Sequence, residues 1–172
     1  MISQGILSNF VNIVQNTSPF SPQTTCCGDL KYLKSKNLLT IYKENLKDPD
    51  IYDMHITVDL NYQSYDFQIL LFYVPDVYVS ENMRGRKSSF YLFYNLCLYL
   101  INTHPNNHIF LTLDDCSGYD YKSNIYAKLG FFVEQDNDTI VTPEKWIKDE
   151  YNDNPNEMRY GYAPLIIQKY KN

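Results

Sequence analysis

Apolar residues recur along this chain in two rhythms, one of helices and one of strands. Between Met1 and Val14, Ile2, Ile6, Leu7, Phe10, Val11 and Val14 fall at three- and four-residue steps, which predicts an amphipathic helix. Thr17 to Thr25 gathers Ser, Thr and Pro and predicts a loop. A second helix is expected from about Asp29 to Leu46, with Leu30, Leu33, Leu38, Ile41 and Tyr42 turned partly inward and Asp48-Pro49 as its stop. Ile51 to Asn61 and Asp66 to Val79 read as strands of an antiparallel hairpin turning around Gln63-Ser64. Pro75 has no amide proton to give a ladder, so the second run should break or bulge there.

Further on, Arg86 to Asn102 carries Phe90, Phe93, Leu96, Cys97, Leu100 and Ile101 along one helical side and ends before His104-Pro105. His108 to Asp114 is a strand pattern. Lys122 to Leu129 reads as a short helix capped by Gly130, and Phe131 to Glu134 as another strand. Thr142-Pro143-Glu144 has the residues of a helix start, so Pro143 to Tyr151 is predicted helical; Pro164 to Lys169 reads as the last strand. The resulting order, with neither repeat nor linker, predicts a mixed α/β sheet.

The 172 residues fit one domain, and a hydrophobic fraction of 44% with 17 Tyr and 9 Phe supplies a core without help from metals or disulfides. A formal charge of −5 argues against a nucleic-acid partner and favours a cationic or amine-bearing one. No apolar run reaches the roughly 18 residues of a membrane span, and the first helix lacks the features of a signal peptide. The expectation is a soluble, cytoplasmic protein without a membrane partner. Cys26, Cys27, Cys97 and Cys116 form no paired motif and read as reduced thiols, with no metal site. The sequons Asn16-Thr17-Ser18 and Asn137-Asp138-Thr139 carry no meaning without a secretory route. Abundant Asn, Lys, Ile and Tyr point to an AT-rich genome, such as that of a large DNA virus or a parasite.

Val77-Tyr78-Val79-Ser80-Glu81-Asn82-Met83-Arg84-Gly85-Arg86-Lys87-Ser88-Ser89, followed by an apolar helix, resembles the cofactor motif of the GCN5-related N-acetyltransferases. Ile125-Tyr126-Ala127-Lys128-Leu129-Gly130-Phe131 matches that superfamily's second motif at the right distance. The resemblance is close over about Val77 to Phe132 and elsewhere is one of element order. It implies one domain over residues 1–172, built on a mixed, mostly antiparallel central sheet that splays into a V-shaped cleft flanked by helices. It also implies acetyl-CoA as co-substrate, held by the main chain of Val77, Tyr78 and Val79 and by the turn Arg84, Gly85, Arg86, Lys87, Ser88 and Ser89, with Asn124 nearby. Such a turn binds pyrophosphate because a helix start gathers unpaired amides and the positive end of a dipole. The family's loop reads Arg/Gln-x-x-Gly-x-Gly/Ala; here Lys87 and Ser89 stand where it has glycines.

Tyr126 matches the family tyrosine that protonates the departing thiolate, and the amide near Val79 the group that holds the oxyanion. The base that frees the amine is open among Asp76, Glu81, Asp114 and Asp115, with Tyr78 through water and His55 as further candidates; Asp114 and Asp76 lead. Residues 136–162 form an insertion longer than the family's hairpin loop, either a cover for the acceptor site or a packing flap. The implied activity is N-acetylation of an amine on a small molecule or a protein. Two alternatives stand beside it: a fold of this kind that binds or scaffolds without turnover, and transfer of a longer acyl chain. The resemblance also leaves a homodimer open.

Overall fold

In a computed structural model the chain is described over residues 2–17, 29–135, 142–155 and 157–171. Ser18 to Thr25 of the predicted loop, Cys26, Cys27 and the sequon at Asn137 lie outside these residues, as does part of the sequon at Asn16. Helix α1 spans Gln4–Thr17. Ser3 caps it, its hydroxyl accepting from the Ile6 amide at 3.3 Å, and Leu7, Phe10 and Val14 are sealed in the core.

The expected second helix is instead a hairpin, β1 (Lys31–Ser35) and β2 (Leu38–Glu44), joined by Lys36 and Asn37 with Lys36 at φ 56°. The reason lies in the period. Leu39 and Ile41 are buried while their neighbours are not, and every residue of β1 is exposed, so this stretch has one apolar face at a two-residue step.

Strand β3 (Tyr52–Asp59) buries Met54, Ile56 and Val58 against the same core. The predicted pairing of Ile51–Asn61 with Asp66–Val79 is corrected twice. Gln63 and Ser64 belong to a short strand, β4 (Gln63–Tyr65), which turns through Asp66 and Phe67, both with positive φ, into β5 (Ile69–Tyr73). The remainder is a separate strand, β6 (Asp76–Val79), and it is β6 that pairs with β3. Pro75 breaks the run as expected: the Val74 amide makes the last bond to β7 (His108–Asp114), donating to Thr112 O at 2.9 Å, and the chain then crosses into the other sheet.

After a single 3₁₀ turn at Glu81–Met83 come α2 (Ser88–Thr103), β7, α3 (Ile125–Lys128), α4 (Pro143–Asp153), β8 (Met158–Tyr162) and α5 (Ala163–Lys171). The predicted helix at Lys122–Leu129 is thus shorter, and the strand at Phe131–Glu134 shrinks to one bridge between Phe132 and Tyr160. The predicted last strand, Pro164–Lys169, is helical. A run of consecutive buried residues fits either state; here Pro164 sits in the first turn of a helix that packs on α2, stacking Tyr170 on Tyr94 with ring centroids 4.4 Å apart.

Two four-stranded sheets result, in the orders β1-β2-β3-β6 and β4-β5-β7-β8. The described pairings are antiparallel except β5 with β7. The fold is therefore mixed α/β, mostly antiparallel, and splayed where β6 leaves β7. Helix α2 covers both sheets near that seam, burying Leu92, Phe93, Leu96 and Leu100. Helix α4 lies beside α1, with Trp146 against Phe10 and Phe132, centroids 5.3 and 4.7 Å away. No described helix is long and apolar enough to cross a membrane.

Candidate functional site

Because Pro75 ends the ladder to β7, β6 has a partner on one side only. The Ser80 amide donates to Asp53 O of the β3 side at 2.9 Å. In an antiparallel pair, bonding direction alternates by residue, so Tyr78 and Asp76 also face β3, while the main-chain groups of Val77 and Val79 face the open seam. That seam leads to the start of α2. Gly85 has φ 77°, with open space where a Cβ would stand, and Lys87 has φ 57° and ψ 29°. No side chain caps α2, so its first amides are left for another acceptor.

These features line one cavity of about 750 Å³, walled by Val77, Tyr78 and Val79, the turn from Met83 to Ser89, and Ile125, Tyr126 and Lys128 of α3. Of the residues predicted to bind cofactor, Arg86 and Asn124 are not in this wall. The Arg84 guanidinium reaches back to Val79 O at 3.2 Å, and the Ser88 hydroxyl donates to Met83 O at 2.8 Å, which leaves Ser89 as the hydroxyl facing the cavity without that commitment.

A second cavity of about 300 Å³ opens on the other side of the seam, between Val74, Pro75, Asp76 and Val77 and the end of β7 with Asp114, Asp115, Cys116 and Ser117. Val77 and Tyr126 belong to both walls. The cleft therefore has two arms that meet at one strand edge and one phenol. Burial, then the charge on Asp115, pushes the Tyr126 phenol up to about 12, so it stays protonated at neutral pH and can donate.

The candidate bases differ in what holds them. Asp115 is buried, and its carboxylate is spoken for: Ser117 donates through its hydroxyl at 2.6 Å and its amide at 2.9 Å, Asn124 Nδ2 at 2.6 Å and Arg159 Nε at 3.1 Å. Burial alone would raise this carboxyl, but those donors together hold it below the usual carboxylate range. It is a strut rather than a base. Its partner Arg159 is wholly buried, lies 3.8 Å over the Tyr151 ring, and has no other side-chain anchor among the described residues. Asp76 is exposed and bonds His55 Nε2 at 2.7 Å on the outer face of β3 and β6. Glu81 is exposed in the 3₁₀ turn. Asp114 is exposed at the end of β7, bonded to the Tyr73 hydroxyl at 3.3 Å, and lines the smaller cavity.

Asn124 acts behind the cleft. Its Oδ1 accepts from the amides of Tyr126 at 2.8 Å and Ala127 at 3.4 Å and so starts α3, while its Nδ2 holds Asp115. Arg159, Asp115, Asn124 and the Tyr126 main chain thus form one bonded line that fixes where the phenol stands. The sequence carried no sign of this line, because Asp115 and Arg159 are 44 residues apart and an arginine inside a strand rich in tyrosine does not announce burial.

No protein-family model and no curated protein matches the sequence. Solved structures similar in fold include Tetrahymena GCN5, at 14% identity over 75% of this chain and 70% of that one with a TM-score of 0.44. FeeM, an N-acyl amino acid synthase from uncultured soil microbes, aligns over 98% and 97% at 14% identity and a TM-score of 0.43. An aminoglycoside acetyltransferase from an uncultured soil metagenomic sample gives 13% identity, 70% and 76% coverage and 0.39. The likeness in sequence to the GCN5-related N-acetyltransferases has its counterpart in these structures. At such TM-scores they bear no further weight, and the chain's own cavities carry the functional reading.

Proposed function

We propose that this chain is an N-acetyltransferase that takes an acetyl group from acetyl-CoA to an amine entering the smaller arm of the cleft. The observation that supports it most is the meeting of two cavities at Val77 and Tyr126. The larger arm suits the co-substrate: an open strand edge for an amide-bearing chain, an uncapped helix start and the cations Arg84, Lys87 and Lys128 for phosphates, and no carboxylate in its wall. Acetyl-CoA supplies an activated acyl group as a thioester.

The residues then divide the work. The Val79 amide, aimed into the seam, donates toward the charge that develops on the acyl oxygen. The Tyr126 phenol, protonated and held by its bonded line, gives its proton to the departing sulfur. Asp114 attracts an ammonium into the smaller arm and, directly or through water, takes the proton the amine must lose. Asp76 stands at the rim of that arm.

The test is release of free thiol from acetyl-CoA in the presence of a panel of amines, compared with Tyr126→Phe. A fall of about 10²-fold or more in turnover for the variant, with the affinity for CoA kept, agrees with a proton donor. Binding of CoA with no amine-dependent thiol release would make the chain a binding module, a reading that the non-glycine residues Lys87 and Ser89 favour.

A further inference from the structure

We propose that a second basic cavity, on the far flank of the turn before α2, holds the phosphorylated nucleoside end of coenzyme A, with its 3′-phosphate as the group recognised. This rests on the transferase reading for the identity of the ligand. The cavity has a volume of about 580 Å³ and is lined from three directions: Lys43 on β2, Arg86 and Lys87 in the turn, and Lys171 at the end of α5. Four cations face one carboxylate, Asp29, which already accepts from the Tyr91 hydroxyl at 2.7 Å. Among the described residues none of the four forms an ion pair. In a chain of net charge −5 such a concentration has a purpose other than solubility.

Its position fits a ligand that continues from the acyl cleft. Met83, Lys87 and Ser88 belong to both walls, so a chain of phosphates can pass around the turn from one cavity into the other. Lys43 is in register with Met54, and Met54 with Val79, which puts Lys43 two strands, or about 10 Å, from the open edge. Tyr91 and Tyr170, with centroids 6.3 Å apart, give the cavity aromatic surface for a flat base. A cavity of this charge also explains how the chain does without two glycines. The closest backbone approach to pyrophosphate is given up, and side-chain charge further along the ligand replaces it.

Dephospho-CoA differs from CoA only in lacking the 3′-phosphate, so calorimetric titration of both tests the proposal. The native protein should prefer CoA by about tenfold or more at low salt. In the double variant Lys43→Gln, Lys171→Gln, checked by thermal melting for a native transition, the two molecules should bind within about twofold of each other. If that variant does not fold, adenosine 3′,5′-bisphosphate should displace CoA from the native protein, and adenosine 5′-monophosphate should do so much less well. Equal affinity for CoA and dephospho-CoA, a preference kept by the folded variant, or equal displacement by the two nucleotides would overturn the site. None of these readouts requires acetyl transfer, so a failure of the transferase reading, namely no thiol release with any amine, is distinguishable from a failure here.

Discussion

On one side of Tyr126 the cleft presents Arg84, Lys87 and Lys128 with no acid in its wall; on the other it presents Asp76, Asp114 and Asp115 with no cation in its wall. The two arms also differ in what they are made of. The larger arm is mostly backbone: a strand edge left open by Pro75, a turn through Gly85 and Lys87, and an uncapped helix. The smaller arm is mostly side chains, and its innermost acid is neutralised from behind by Arg159. A backbone arm suits a ligand that does not change, whereas side chains can be exchanged to choose among acceptors.

The largest effect is expected where the smaller arm is anchored. Asp115→Ala leaves the Arg159 charge buried without its carboxylate, which costs about 3–5 kcal/mol and should appear as a lower midpoint in urea denaturation. The same carboxyl gives the arm a pH signature. Because the folded state holds it below its unfolded value, its contribution is complete above about pH 4 and is lost as the pH falls below that. Asp115→Asn should therefore flatten the acid limb of the stability curve; an unchanged limb would mean that Asp115 is not the acid-sensitive strut.

Unequal legibility follows from the same contrast. The larger arm was visible in the sequence because backbone shape is written locally, in Pro75, in Gly85 and in an apolar helix directly after a basic turn. The seam itself was foreseen only as a break, since which strand β6 would join depends on β3, more than twenty residues away. The smaller arm draws on the β5–β6 junction, the end of β7 and β8, and no local pattern links Asp115 to Arg159. The errors at residues 29–46 and 164–169 have one cause: short apolar runs satisfy both periods, and tertiary burial decides between them.

Next in size is Asp114→Asn, which removes the one acid of the smaller arm that has no cationic partner among the described residues. It should lower kcat/KM for a cationic amine by about tenfold or more while leaving the affinity for CoA as it was, as measured by initial rates and calorimetry. An equal loss on both measurements would show that the arms are not independent.

Gly130→Ala tests the support of α3 rather than either arm. The new Cβ would stand 2.8 Å from Leu165 Cδ2, at a residue with φ 87°. A loss of about 1–3 kcal/mol is expected in denaturation, with Tyr126 displaced relative to Val77 and turnover reduced more than CoA binding.

The smallest change bears on the backbone arm itself. Lys87 holds a left-handed conformation at φ 57°, which an L side chain adopts at a cost of about 1–2 kcal/mol. Lys87→Gly removes that strain but gives the unfolded chain more freedom, so a net gain of only about 0.5 kcal/mol is expected in thermal unfolding. Binding should move the other way. If Lys87 replaces a close backbone approach with charge, the glycine variant loses CoA affinity at low salt, and the gap to the native protein narrows as salt is added. Unchanged affinity at low salt would mean that the open strand edge and the amides of α2 hold the co-substrate without Lys87.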